Sequence, residues 1–282
     1  MKYAVLSMDI EDWYHLDYFR GSKVDRKFTM LDGLHEYLKI LDDYELKTTF
    51  FSLGEIANSL KSDLREISQQ GHEIAAHGWR HQRPLTMSND KFDKDITHTK
   101  DILEQIVGQE ILGYRAPCFS LNRELLGKVE DAGFLYDSSK IDFSNHPLYG
   151  GIDTSDFKFV DKNIYSKNDF YEFEVSTLPV LGKPIPISGG GYLRIFPWLV
   201  TKKLISSFCK SHNFFVLYIH PFELSTKSDP ALPSNISWST KKRFSIGRQD
   251  VKTKLNHLIK LLKTFDFEFV TFSKLRENLI NN

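Results

Sequence analysis

Two histidines four residues apart, in the run His77-Gly-Trp-Arg-His81, are the first residues whose types and spacing suggest chemistry. On a helical turn positions i and i+4 share a face, so both imidazoles reach one metal ion. No Glu follows the first His, which removes the general base of the HExxH metalloproteases. Near the N-terminus three acids, Asp9, Glu11 and Asp12, close an apolar run. Such a cluster can give a carboxylate as third ligand and leave coordination positions open for water. Two histidines, a carboxylate and exchangeable water describe a hydrolytic zinc, cobalt, manganese or nickel site, among which the order of intrinsic affinities does not choose. Each feature also has an ordinary reading: surface histidines for the pair, a helix N-terminus for the acids, an ion pair for Arg115 and a satisfied core imidazole for His220.

These residues must be carried by elements, and the dominant rhythm is a short apolar strand followed by an amphipathic helix. The apolar runs at 3–9, 48–53, 72–77, 111–117, 134–139, 214–220 and 267–272 read as strands. Helical spacing links Leu31, Leu34, Leu38 and Leu41, and again Phe92, Ile96, Thr99, Leu103 and Ile106. Further helices are expected near 55–70, after an Asn122 cap, near 198–212 and near 250–264. The alternation predicts an α/β fold with a parallel sheet, closed or nearly closed as a β/α barrel, with a doubly wound open sheet as second choice. One domain over 1–282 is expected, with an irregular insertion at about 140–190 where Gly and Pro punctuate the chain and FYEFEVSTL (170–178) is the best strand. In such a barrel the C-terminal ends of strands line the active-site mouth. Asp9, Glu11 and Asp12, the two histidines, Arg115, and His220 with Glu223 all fall at strand ends, as one convergent set.

Composition excludes more than it proposes. Across 282 residues, 37 Lys and Arg balance 37 Asp and Glu, so no overall basic charge favours nucleic acid or an anionic membrane. Two cysteines, Cys118 and Cys209, form at most one disulfide and fit a reducing compartment. The acids at 9–12 interrupt the N-terminal apolar run before it reaches signal-peptide length, and no run of about 18 apolar residues occurs. The expectation is a soluble cytoplasmic protein.

The stretches SMDIEDWYH (7–15), TTFFSLG (48–54), GHEIAAHGWRH (71–81), GYRAPCFS (113–120), YDSS (136–139), SGGGYLRIFP (188–197) and LYIHPFEL (217–224) resemble, in order, the motifs of the NodB-homology polysaccharide deacetylases, carbohydrate esterase family 4. The D-x-E-D-W form of the first motif is most similar to the branch found in bacterial exopolysaccharide loci. The resemblance implies a distorted (β/α)7-type barrel. It implies Asp9 as general base, His77 and His81 as ligands of one divalent metal ion, zinc before cobalt, manganese or nickel, and Arg115 as the residue that orients Asp9. It also implies His220 as general acid and the backbone N–H of Cys118 against the developing oxyanion. The third ligand departs from the family pattern, because Ile10 follows Asp9; Glu11 or Asp12 must serve, with Glu11 preferred on the D-x-D spacing of related subgroups.

The chemistry is consistent with those roles. Hydrolysis of an N-acetyl amide needs an activated water, an electrophile for the carbonyl oxygen and a proton for the leaving amine. Trp13, Tyr14 and Trp79 are candidate sugar-stacking platforms or packing aromatics. Arg194, after the Gly189-Gly190-Gly191 run, is expected to point into the pocket, and Glu223 to meet sugar hydroxyls, hold Arg194 or sit on the surface. The Cys118 thiol has no adjacent base and is read as packing. The expected reaction is removal of an N-acetyl group from an amino sugar, nucleotide- or lipid-linked, in surface-polysaccharide or glycoconjugate synthesis, with a homo-oligomer allowed. The alternatives are a C–N hydrolase acting on a non-sugar amide or cyclic ureide, and a non-catalytic sugar-binding barrel.

Overall fold

The structure is a computed structural model that describes residues 1–143 and 146–281. Its twelve strands are β1 (Lys2–Ile10), β2 (Thr49–Ser52), β3 (Glu73–Ala76), β4 (Gly113–Tyr114), β5 (Tyr136–Asp137), β6 (Lys158–Asp161), β7 (Ile164–Lys167), β8 (Phe170–Phe173), β9 (Thr177–Val180), β10 (Lys183–Pro186), β11 (Phe214–Ile219) and β12 (Phe267–Phe269). Seven run parallel in the order β11-β1-β2-β3-β4-β5-β8, and β12 pairs with the start of β1. Helices cross between consecutive strands from β1 to β5, as parallel pairing requires, whereas the strands β6 and β7 fill the connection from β5 to β8. The long gap between β8 and β11 is bridged by single contacts: the Val216 N–H donates to Ser176 Oγ and the Tyr218 N–H to the Ser188 carbonyl. The result is a distorted barrel with one weak seam.

Strand parity decides which side chains enter the barrel. In β1, Ala4, Leu6, Met8 and Ile10 pack outward against the helices, whereas Tyr3 and Val5 point into an inner cluster with Phe51, Tyr136, Phe173, Phe214, Val216 and Phe272. Continuing the alternation puts Ser7 and Asp9 on the inner side, above that apolar floor. The same two-residue period carries β11 from Phe214 and Val216 to Tyr218 and His220, and β3 from Ala75 to His77. Burying each aromatic of the floor contributes about 1.5–3 kcal/mol. The site therefore stands on a buried aromatic floor.

Most expected helices form, including Asp32–Asp43, Asn89–Val107, Trp198–Cys209 and Val251–Lys263. Asn122 accepts from the Leu125 N–H as an N-cap should. Two expectations need correction. The helix near 55–70 is two pieces, Gly54–Ala57 and Lys61–Gln69, because Leu60 leaves the helical region between them. The stretch at 140–190 is more regular than its composition suggests: β6 and β7 extend the sheet antiparallel from β8, and β9 with β10 makes a hairpin.

Candidate active site

Arg115 organises the site from below. It is fully buried, and its guanidinium donates to Asp9 Oδ1 at 2.7 Å, Ser7 Oγ at 2.8 Å, and Ser138 through both carbonyl and hydroxyl at 3.1 Å. Its flat face lies 4.0 Å from the Phe51 ring centre. A buried cation is tolerated only when its donors are matched, and here they are. Burial alone would raise the Asp9 pKa, but Arg115, then His77 and His220, outweigh it and hold the carboxyl below its usual range.

Above Asp9, ligand atoms of Glu11, His77 and His81 all lie within 4.8 Å of one another. His77 Nδ1 is 2.8 Å from the Arg115 carbonyl, so this nitrogen carries the proton and Nε2 keeps a lone pair toward the cluster. Burial lowers the His77 pKa to about 4 and that of His81 well below its ordinary value, so both rings are neutral. Glu11 Oε2 is 3.0 Å from His81 Nε2, yet both Glu11 oxygens are buried without a hydrogen bond. Burial pushes the Glu11 pKa up to about 8. An orphaned buried carboxylate between two neutral imidazoles fits a divalent cation, the partner that offsets its desolvation.

The two candidate acids thereby separate. Asp12 Oδ1 accepts from the backbone N–H groups of Trp13 at 2.8 Å and Met30 at 2.9 Å, capping a short 3-10 turn. As a metal ligand Asp12 is corrected to a structural cap. The D-x-E spacing explains why: Asp9 and Glu11 share strand parity, and Asp12 leaves it.

His220 stands opposite, 3.4 Å from Glu11 Oε1. Glu223 closes the next short helix, Pro221–Leu224, back onto it. Its Oε2 accepts from the His220 N–H at 3.1 Å and lies 3.3 Å from His220 Nδ1, while Oε1 accepts from Arg194 Nε at 2.8 Å. Burial opposes a charged His220, but Glu223, then Glu11 and Asp9, more than compensate and raise its pKa to about 9. Glu223 is thus not a sugar-contacting rim carboxylate. Arg194 borders the cleft, but its guanidinium is occupied by Glu223 and the carbonyls of Arg243, Phe244 and Ile246.

Asp9, Glu11, His77, His81, Cys118 and His220 all stand in the wall of one cleft. Cys118 has a left-handed backbone, φ 54°, and burial pushes its thiol far up, so the sulfur is no nucleophile. Of the two roles open to Trp13 and Trp79, both take packing and neither borders the cleft. Trp13 is fully buried, donating to the Phe28 carbonyl and meeting Phe19 and Phe244 edge-on. Trp79 packs over Gly54 and lies against His98, 4.1 Å between ring centres. Tyr18, Tyr149, Tyr192 and Tyr218 line the cleft instead, with His146 and Arg243. No common spacing in the sequence marks these, because separate elements bring them in; parity along β11 would have found Tyr218.

Comparison with known proteins agrees with this fold. Residues 30–136 match the family model described as polysaccharide deacetylase, and residues 138–276 match a domain of unknown function, DUF3473. A peptidoglycan deacetylase of Helicobacter pylori is 28% identical over 48% of this chain and 46% of its own length. A peptidoglycan-N-acetylglucosamine deacetylase of Bacillus cereus is 26% identical over 64% of this chain and 65% of its own. The chain thus spans roughly half to two thirds of these two relatives. Among solved structures, a protein from Mycobacterium smegmatis described as a polysaccharide deacetylase superposes with TM-score 0.64 at 21% identity, covering 99% of this chain and 91% of that one. A carbohydrate esterase family 4 pseudoenzyme of Bacillus anthracis superposes with TM-score 0.54 at 15% identity, covering 98% and 66%. The fold is shared by proteins with and without activity, so function must be argued from the residues of the site.

Proposed function

Because the chain belongs to the polysaccharide deacetylase family, we propose that it hydrolyses the N-acetyl group of an amino sugar, using one divalent metal ion held by Glu11, His77 and His81. The observation that carries this reading is the buried trio of ligands with an orphaned carboxylate, set beside an Asp9 that Arg115 keeps ionised. A divalent ion bound there supplies a lowered pKa for water and polarisation for the acetyl oxygen. Asp9 accepts a proton from the attacking water. Its ion pair with Arg115 fixes the orientation of the carboxylate and stabilises its charged form. As the C–N bond breaks, His220 gives its proton to the departing nitrogen, leaving free amine and acetate. Glu223 holds His220 by the far nitrogen, so that Nε2 faces the cleft. The backbone N–H of Cys118, on the cleft wall, is the proposed donor to the oxyanion. The tyrosines around the opening suit the faces of sugar rings.

Acetate release from N-acetylated chito-oligosaccharides, measured before and after chelation and after reloading with zinc, cobalt, manganese or nickel, tests this reading. Activity lost on chelation and restored by one of these ions is the expected result. Full activity in protein shown by elemental analysis to be metal-free would end it.

A further inference from the structure

The balance of 37 cations and 37 anions is not spread evenly. Residues 175–222 contain no Asp or Glu but five cations, Lys183, Arg194, Lys202, Lys203 and Lys210. Residues 230–249 contain none either, and carry Lys241, Lys242, Arg243 and Arg248. Three hydrogen bonds from Arg194 to the carbonyls of Arg243, Phe244 and Ile246 join the two segments, and Lys254 fixes the first by donating to the carbonyls of Leu193, Arg194 and Phe196. Six of the ten large apolar side chains exposed among the described residues fall in these two segments: Leu181 on the β9–β10 hairpin, and Ile195, Leu199, Val200, Trp238 and Ile246. Trp238 is 73% exposed and Leu199 78%. Among the described residues, Lys202, Lys203, Lys241, Lys242 and Arg243 have no carboxylate partner. Ile195 and Arg243 also border the cleft, so this face begins at the opening of the site.

Exposed apolar side chains interleaved with unpaired Lys, in two joined segments that contain no acid of their own, match the boundary between lipid headgroups and acyl chains. Trp and Lys suit that boundary in particular, each having an apolar body and a polar end. We propose that this face docks on an anionic lipid bilayer and presents the cleft to an acetylated amino sugar carried on a lipid at the membrane surface. The second half rests on the deacetylase reading above; the docking does not.

The test is sedimentation of the full chain with vesicles of phosphatidylglycerol and phosphatidylcholine, against phosphatidylcholine alone. Binding to the anionic vesicles that weakens with salt is expected. The pair Leu199→Asp with Trp238→Ala should lower partitioning roughly tenfold or more, and Lys202→Glu with Lys203→Glu about tenfold. Both pairs should release acetate from soluble chito-oligosaccharide as the parent does. No binding to anionic vesicles, or binding that neither pair weakens, overturns the proposal. So does a dimer in light scattering that the Leu199/Trp238 pair dissociates, since a second copy would then be the occupant. Vesicle binding without acetate release from any acetylated sugar would support the docking and sink the deacetylase reading; acetate release without vesicle binding does the reverse.

Discussion

Asp9 and Glu11 are two carboxylates two residues apart on the same inner face, yet their surroundings divide the work. Asp9 meets a guanidinium at 2.7 Å and stays charged, whereas Glu11 has two buried oxygens that nothing in the protein satisfies. One is placed to move a proton and the other to hold a cation. Asp9→Asn should therefore lower kcat for acetate release by about 10²–10⁴-fold, the usual worth of a positioned base. It should leave one metal bound per chain, because Asp9 is outside the ligand trio. Acetate assays paired with elemental analysis check this; an Asn variant that has lost its metal would show the roles to be wrongly divided. At this scale the sequence was most legible where parity operates. Asp9, His77, Arg115 and His220 are strand-end residues whose direction follows from the two-residue period. For Trp13 the sequence leaves platform and packing open, because it lies next to Asp12; the 3-10 turn that Asp12 caps rotates it into the core beside Phe19 and Phe244.

Elements bring these side chains to within tenths of an ångström, and the helix Gly190–Ile195 shows how. A Cβ added at Gly190 would fall 1.8 Å from Glu223 Oε2, while one at Gly191 would meet nothing within 4 Å. Glu223 cannot simply swing aside, since Arg194 and His220 hold both its oxygens. Gly190→Ala should cost about 1–3 kcal/mol of stability, and by displacing the carboxylate that aims His220 should reduce kcat at least about tenfold. Gly191→Ala, next to it, should match the parent in denaturant melts and acetate assays. Equal behaviour of the two variants would refute the argument. A second element pair lies in the wall, where Asp137 of β5 is in register with Glu172 of β8. Burial raises both acids, Asp137 to about 6, and the approach of the two carboxyls raises Glu172 further. Their folded pKa values thus exceed the unfolded ones. The native state holds the protons more tightly, and the stability they contribute is complete below about pH 4 and is lost as pH rises through 6 and beyond. Glu172→Gln should flatten that part of the melting temperature against pH; an unchanged slope would place the titration elsewhere. The pair escaped sequence reading because β5 and β8 are 35 residues apart in register, and the composition of the intervening stretch suggested irregular chain.

For the molecule as a whole, the site has no local integrity. Glu11 follows β1, His77 and His81 follow β3, Arg115 follows β4, and His220 follows β11, so only the closed barrel brings them within reach of one another. The alternation of strands and helices made that barrel legible from the sequence, because each element carries its own period. The weak seam between β8 and β11 and the placement of Tyr18, Tyr149 and Arg243 at the cleft were not, because tertiary contacts set them. A cation shared by the ends of β1 and β3 binds the folded chain and not the unfolded one, so its affinity becomes stability of the whole fold. At a free zinc concentration about one hundred times Kd the gain is about 2.7 kcal/mol, which for a chain of this size raises Tm by roughly 5 °C. His81→Ala should remove most of that rise while keeping the metal-free Tm near that of the parent, since His81 Nδ1 is already without a hydrogen bond in the fold. Calorimetry of both proteins with and without zinc decides it. A rise of equal size in the alanine variant would mean that the stabilising ion sits somewhere other than between Glu11, His77 and His81.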